Sequence, residues 1–215
     1  MRFLLASLLC ATSLHCLAET PPPLPKGFIS QMLEPTDAKL VRPKAWFFNK
    51  IKTSSGHIWT ISAEEATKTP YETGLRVQLL EGVEKGTKTA VDVFAQGFLD
   101  RKKAGAKVVR ECKATDQNAF KRTCLETEEK IDKPDGSRKE LHVLYTVYWS
   151  KALDKVIISS FSSPADKWDA VKATASTLSA LDLSGDDFKA EPAAGAQPTS
   201  TSTSTSTSTS TSTSN

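Results

Sequence analysis

Cys112 and Cys124, 12 positions apart, are the side chains whose type and spacing best predict a covalent bond. They fall on consecutive predicted strands joined by the polar cluster Thr115-Asp116-Gln117-Asn118. Facing Cα atoms of paired strands sit about 4.5–5.5 Å apart, within disulfide reach. The other two cysteines, Cys10 and Cys16, lie in an N-terminal export segment. The mature chain therefore has one intramolecular pairing available, in a compartment where disulfides persist. A redox-active pair is not expected, because no Cys-x-x-Cys spacing occurs.

Other chemistry-bearing residues read as structural. Gly82-Val83-Glu84-Lys85-Gly86-Thr87-Lys88-Thr89 resembles a phosphate-binding loop between a strand and a helix. It has one residue too few between its glycines, and Thr87 separates Gly86 from Lys88. A loop leading into a helix capped by Thr87 or Thr89 is the simpler expectation. His57 and His142, the mature histidines, each stand in a predicted strand with no Cys, Asp or Glu at ligand spacing. No serine has a Gly-x-Ser-x-Gly setting. Ser159, Ser160, Ser162 and Ser163 are expected to end a strand and cap a helix. Glu126, Glu128, Glu129 and Asp132 form an acidic run near Arg110, Lys113, Lys121 and Arg122, which predicts cross-strand ion pairs. The acidic run has no EF-type spacing. No catalytic residue, cofactor or metal is expected.

The elements that position these residues follow from periodicity. Thr87–Ala104 carries Val91, Phe94, Ala95, Phe98 and Leu99 at helical spacing, with Arg101, Lys102 and Lys103 in its last turn and Gly105 after it. Pro164–Leu181 is a second helix, with Ser163 as cap and an apolar stripe of Trp168, Val171, Ala175 and Leu178. Between them lie strands at Ala106–Ala114, Ala119–Ile131, Leu141–Trp149 and Lys155–Phe161, joined by short turns such as Lys133-Pro134-Asp135-Gly136. Short turns predict an antiparallel meander. Leu141–Trp149 is apolar on both alternating faces and should be covered on both. Earlier strands are expected at Lys39–Arg42, Trp46–Lys52, His57–Ala63 and Leu75–Leu80. Phe28, Ile29, Met32 and Leu33 suggest a short amphipathic helix over the sheet.

The two ends of the chain carry no such pattern. Met1-Arg2, the short apolar run Phe3–Leu17 and the small residues Cys16 and Ala18 form an export signal cut between Ala18 and Glu19. The run is too short to span a bilayer. A lipid anchor is not expected, since Leu9 precedes Cys10 and His15 precedes Cys16. Removing Arg2 leaves 27 basic against 25 acidic residues, or +2, which gives no case for nucleic acid. Residues 1–18 are thus the signal, 19–36 a proline-rich leader with the short amphipathic segment, 37–188 the folded domain, and 189–215 a tail. Thr199–Ser214 is a Thr-Ser repeat with no apolar residue to bury, so disorder is expected there.

Lys39-Leu40-Val41-Arg42-Pro43-Lys44-Ala45-Trp46 resembles the opening strand, proline and tryptophan of PsbP-like proteins. The helix ending in Lys103-Ala104-Gly105-Ala106, and the last strand followed by the Trp168 helix, fall where that family has its long helices. The resemblance covers about Asp37 to Leu183. It implies an α+β fold, a three-layer α/β/α sandwich with a central antiparallel sheet. The family's best-known members are accessory subunits of the photosynthetic oxygen-evolving complex, and a relative of the fold is a Ran-binding import factor; neither is an enzyme, and many bacterial exported members, which this chain resembles more, have no known activity. The expectation is an exported accessory or binding protein, periplasmic or secreted, monomeric, with an unknown protein or small-molecule partner. Two other functions stay open: a carrier of a small apolar ligand between sheet and helix, and a hydrolase with an unrecognised site.

Overall fold

A computed structural model describes residues 23–65, 71–132 and 136–190. The signal cut at Ala18–Glu19 and the Thr-Ser repeat lie outside the described residues. Ten strands form among the described residues: β1 (Phe28–Met32), β2 (Lys39–Pro43), β3 (Phe47–Thr53), β4 (Gly56–Ser62), β5 (Gly74–Glu81), β6 (Lys107–Glu111), β7 (Thr115–Gln117), β8 (Phe120–Asp132), β9 (Arg138–Ser150) and β10 (Lys155–Pro164). The helices are α1 (Val83–Thr87), α2 (Val91–Ala104) and α3 (Trp168–Leu178). The main sheet runs β3-β4-β5-β10-β9-β8-β6, with β7 also paired to β8, and its pairings are antiparallel. β1 and β2 make a separate hairpin.

The sheet is the middle of a sandwich because its central strands are apolar on both faces. Along β9, Leu144 and Tyr148 face the α3 side while Val143, Tyr145 and Val147 face the α2 side. Tyr148 and Val147 are both wholly buried. α2 lays Val91, Ala95 and Leu99 on β9 and β10. On the other side α3 brings Trp168, Val171, Ala175 and Leu178 against the second core. That layer is completed by the hairpin, through Leu33 and Leu40, and by the C-terminal segment, through Leu181, Leu183 and Phe188.

Four expectations need correction. Phe28–Leu33 is not a helix; Phe28–Met32 is β1, paired with β2 from Phe28↔Pro43 to Met32↔Lys39. Six residues are too few to offset helix nucleation, whereas a ready strand supplies partners for the backbone. The folded unit therefore begins before residue 37. The helix expected over Thr87–Ala104 begins at Val91, with Ala90 at its cap and no side-chain cap. Thr87 instead closes α1, its hydroxyl donating to Val83 O at 2.7 Å. The helix expected from Pro164 begins at Trp168, after a 3₁₀ turn at Ala165–Lys167. Ser163 is not its cap, because β10 keeps pairing with β9 as far as Pro164↔Leu141. Finally, Thr115–Gln117 is a strand, and the turn shrinks to Asn118-Ala119, with Asn118 in the left-handed conformation at φ 53°.

Candidate binding surface

Cys112 and Cys124 are bonded in the structure, with Cα atoms 4.9 Å apart. Cys112 lies just past β6, and its amide donates to Cys124 O at 2.9 Å. The bond ties the edge of the sheet to β8 as that strand runs on towards its far end. The acidic run occupies that end. Strand alternation turns Glu126 and Glu128 to the α3 side and Glu129 to the α2 side.

On the α3 side a line of polar groups runs from the exposed Arg110 to the buried Glu126 and His142. Arg110 Nε donates to Glu126 Oε2 at 2.9 Å, and Glu126 Oε1 lies 2.7 Å from His142 Nε2. Both Glu126 and His142 are buried. The imidazole lies against the Trp168 indole with ring centroids 3.9 Å apart and planes 14° from parallel. A carboxylate removed from water is tolerable here because both its oxygens are bonded, one to a cation. Glu128 bonds Lys107 at 2.9 Å, and that bond holds its carboxyl below the usual range. On the α2 side Tyr145 Oη donates to Glu129 Oε1 at 2.5 Å, with Thr127 on the same oxygen at 3.2 Å. Burial, then the Glu129 carboxylate, pushes the Tyr145 phenol far above its ordinary value.

The predicted ion pairs form, with some partners exchanged. Arg110 holds Glu126, but Lys107, Lys102 and Arg138 hold Glu128, Glu129 and Asp132. Lys121 bonds Asp116, and Arg122 lies over the Tyr148 ring at 5.7 Å. The two histidines stay apart: His57 stacks on Trp59 at 5.7 Å. Among the described residues no three His, Cys, Asp or Glu side chains converge as metal ligands. The helix N-terminus in the phosphate-loop-like segment is already filled. The Asp154 carboxylate accepts from Glu84 N at 2.7 Å and Lys85 N at 3.2 Å.

Ser163, His142 and Glu126 stand on three adjacent strands, in the order a hydrolase would use. Their contacts oppose that use. Ser163 is wholly buried, and its hydroxyl donates to Pro164 O at 3.1 Å rather than to the imidazole. Trp168 covers the ring. Beneath the hairpin and the C-terminal segment the sheet leaves a cavity of only about 10 Å³, lined by Trp59, Leu79, Ile157 and Phe188 among others. A carrier of a small apolar ligand needs a few hundred.

One concave feature at this end is a groove of about 620 Å³. It is lined by Ala104 to Lys107, Glu128 to Lys130, Glu140 and Ala165. It exists because β8 outruns its neighbour: β6 pairs with β8 only as far as Lys107↔Glu128. From Glu129 to Asp132, β8 pairs with β9 alone among the described residues. Neither the overshoot nor the His142–Trp168 stack has a local sequence signal, since both depend on register between distant segments.

No protein-family model and no curated relative matches the chain. Among solved structures it is similar to cyanobacterial PsbP from Synechocystis sp. PCC 6803, at 14% identity and a TM-score of 0.40, over 73% of this chain and 92% of that one. It is also similar to the Saccharomyces cerevisiae Ran-binding protein Mog1p, at 13% identity and a TM-score of 0.42, over 70% of this chain and 84% of that one. A third is LpqN of Mycobacterium tuberculosis, involved in cell envelope biogenesis, at 11% identity and a TM-score of 0.41, over 72% of this chain and 88% of that one. At these identities and TM-scores the likeness carries no partner or activity with it. No helix among the described residues is long and apolar enough to cross a membrane.

Proposed function

We propose that this chain is an exported, non-catalytic accessory protein that holds a protein partner along the free outer edge of β8. The observation that carries this reading is the overshoot of β8 past β6, with the groove beside it. An extended segment laid there would continue the line of β6 and take up the edge hydrogen bonds of residues 129–132. Glu128, Lys130 and Glu140, which line the groove, would select the side chains of that segment. Export is supported by the signal pattern of residues 1–18 and by a cysteine pair placed for a disulfide.

The test compares wild type with the double variant Glu128→Lys/Glu140→Lys in affinity capture from the native envelope extract. Both side chains are on the surface, so folding should be preserved and can be checked by circular dichroism. A partner retained by the wild type and lost by the variant is the expected result. Equal retention by both proteins would remove the groove from the binding surface.

A further inference from the structure

The sheet side that carries α2 is only half covered. α2 packs on β9 and β10, and beside it, among the described residues, the strip formed by β3, β4 and β5 is left largely exposed, with Tyr71 reaching over its Gly74 end. Phe47 and Ile51 are 44% and 51% exposed there. Ile58, Thr60 and Gln78 are half-buried, and Arg76 is exposed. The pairing registers put all six on one face. Arg76 is the one charged residue on that face of the three strands. Three strands span roughly 14 Å, and seven residues of strand run roughly 24 Å. A helix is about 10–12 Å across, so the opening is one helix wide.

The matching shape is on the same surface. α2 turns Val93, Gln96, Gly97 and Asp100 outward; Val93 is 60% exposed, and Gly97 offers no side chain to hold a neighbour away. Asp100 is exposed and carries the negative charge that the strip lacks. The two charges stand at one level along the strands. Arg76 pairs with Ser160, and Ser160 with Tyr145. The Tyr145 ring meets Phe98 and Lys102, which flank Asp100 on α2. A two-fold axis parallel to the strands preserves these levels while turning the helix of one copy onto the strip of the other.

We propose that two copies of this chain close face to face, each α2 filling the β3–β5 strip of the other, with Asp100 paired to the partner's Arg76. The contact is isologous, since strip and helix belong to one self-complementary patch. Each copy covers both its strip and its helix face, roughly 700 Å², close to the ~800 Å² per partner of an ordinary stable interface. Pairing β3 edge to edge is the inferior alternative. It brings Lys50 and Lys52 against their own copies, and lysines on an edge strand discourage such pairing. The surface is separate from the β8 groove, so the two proposals stand or fall independently.

Sedimentation velocity on the mature chain tests it. The expected species has twice the mass of one chain. Asp100→Arg and Arg76→Asp should each yield a folded monomer, because both residues are exposed and each change sets like charges together. Combining the two changes should restore the dimer. A monomeric wild type, a dimer that survives Asp100→Arg, or a charge-swapped protein that stays monomeric while folded would each overturn the proposal.

Discussion

His142 lies flat on Trp168, with ring centroids 3.9 Å apart, and this contact fastens the first turn of α3 to the middle of the sheet. His142 is in turn held by Glu126, and Glu126 by Arg110. One row of side chains therefore runs from the edge strand to the helix that closes the second layer.

Trp168→Ala should cost about 2–3 kcal/mol, below the range for a fully buried tryptophan because Trp168 is only half-buried. Trp168→Phe keeps an aromatic face and should cost about 1 kcal/mol. Urea unfolding of the two variants gives the comparison. Equal, negligible losses would show that the stack does not anchor α3.

Cys112→Ser with Cys124→Ser opens a bond that closes a short loop. The expected loss is about 3 kcal/mol by urea unfolding. Alkylation followed by mass spectrometry should find no free thiol in the mature wild-type protein.

The three tyrosines give a pH prediction with a definite sign. Burial raises the phenols of Tyr71, Tyr145 and Tyr148 above the ordinary value, and Glu129 adds to the rise at Tyr145. Groups raised in the folded state keep their full stabilisation below the unfolded value of about 10 and lose it as pH climbs past it. Phenolate absorbance should therefore lag that of the urea-unfolded chain above pH ~10, and stability should fall over the same interval. Superimposed folded and unfolded titrations would contradict this.

Asp154 sits at φ 49° in the turn between β9 and β10 and caps the N-terminus of α1. Asp154→Ala loses both the cap and a residue type at ease in that conformation, at about 1–2 kcal/mol. Asp154→Asn keeps both in part and should lose less. Hydrogen exchange at the amides of Glu84 and Lys85 reports the cap directly, and should quicken in the alanine variant.

N-terminal sequencing of the exported protein should begin at Glu19. A chain that begins at Met1, or at a lipid-modified Cys10 or Cys16, would refute the proposed processing.

Sequence alone determined the parts that depend on local chemistry. The period-two pattern of Leu141–Trp149, apolar on both faces, dictated a middle layer covered on each side. The stripes of Val91–Leu99 and Trp168–Leu178 dictated which helices would cover it. Twelve residues around a turn sufficed to place Cys112 near Cys124. Tertiary structure alone decided where each element stops, because those ends are set by partners distant in sequence. Phe28–Met32 is a strand because β2 is there to pair with it, and β10 runs through Ser163 because His142 faces it. The overshoot of β8, the cap that Asp154 sends across to α1 and the open strip beside α2 come from the same source. Each depends on how far one segment extends relative to another, a long-range register that no local run of residues encodes.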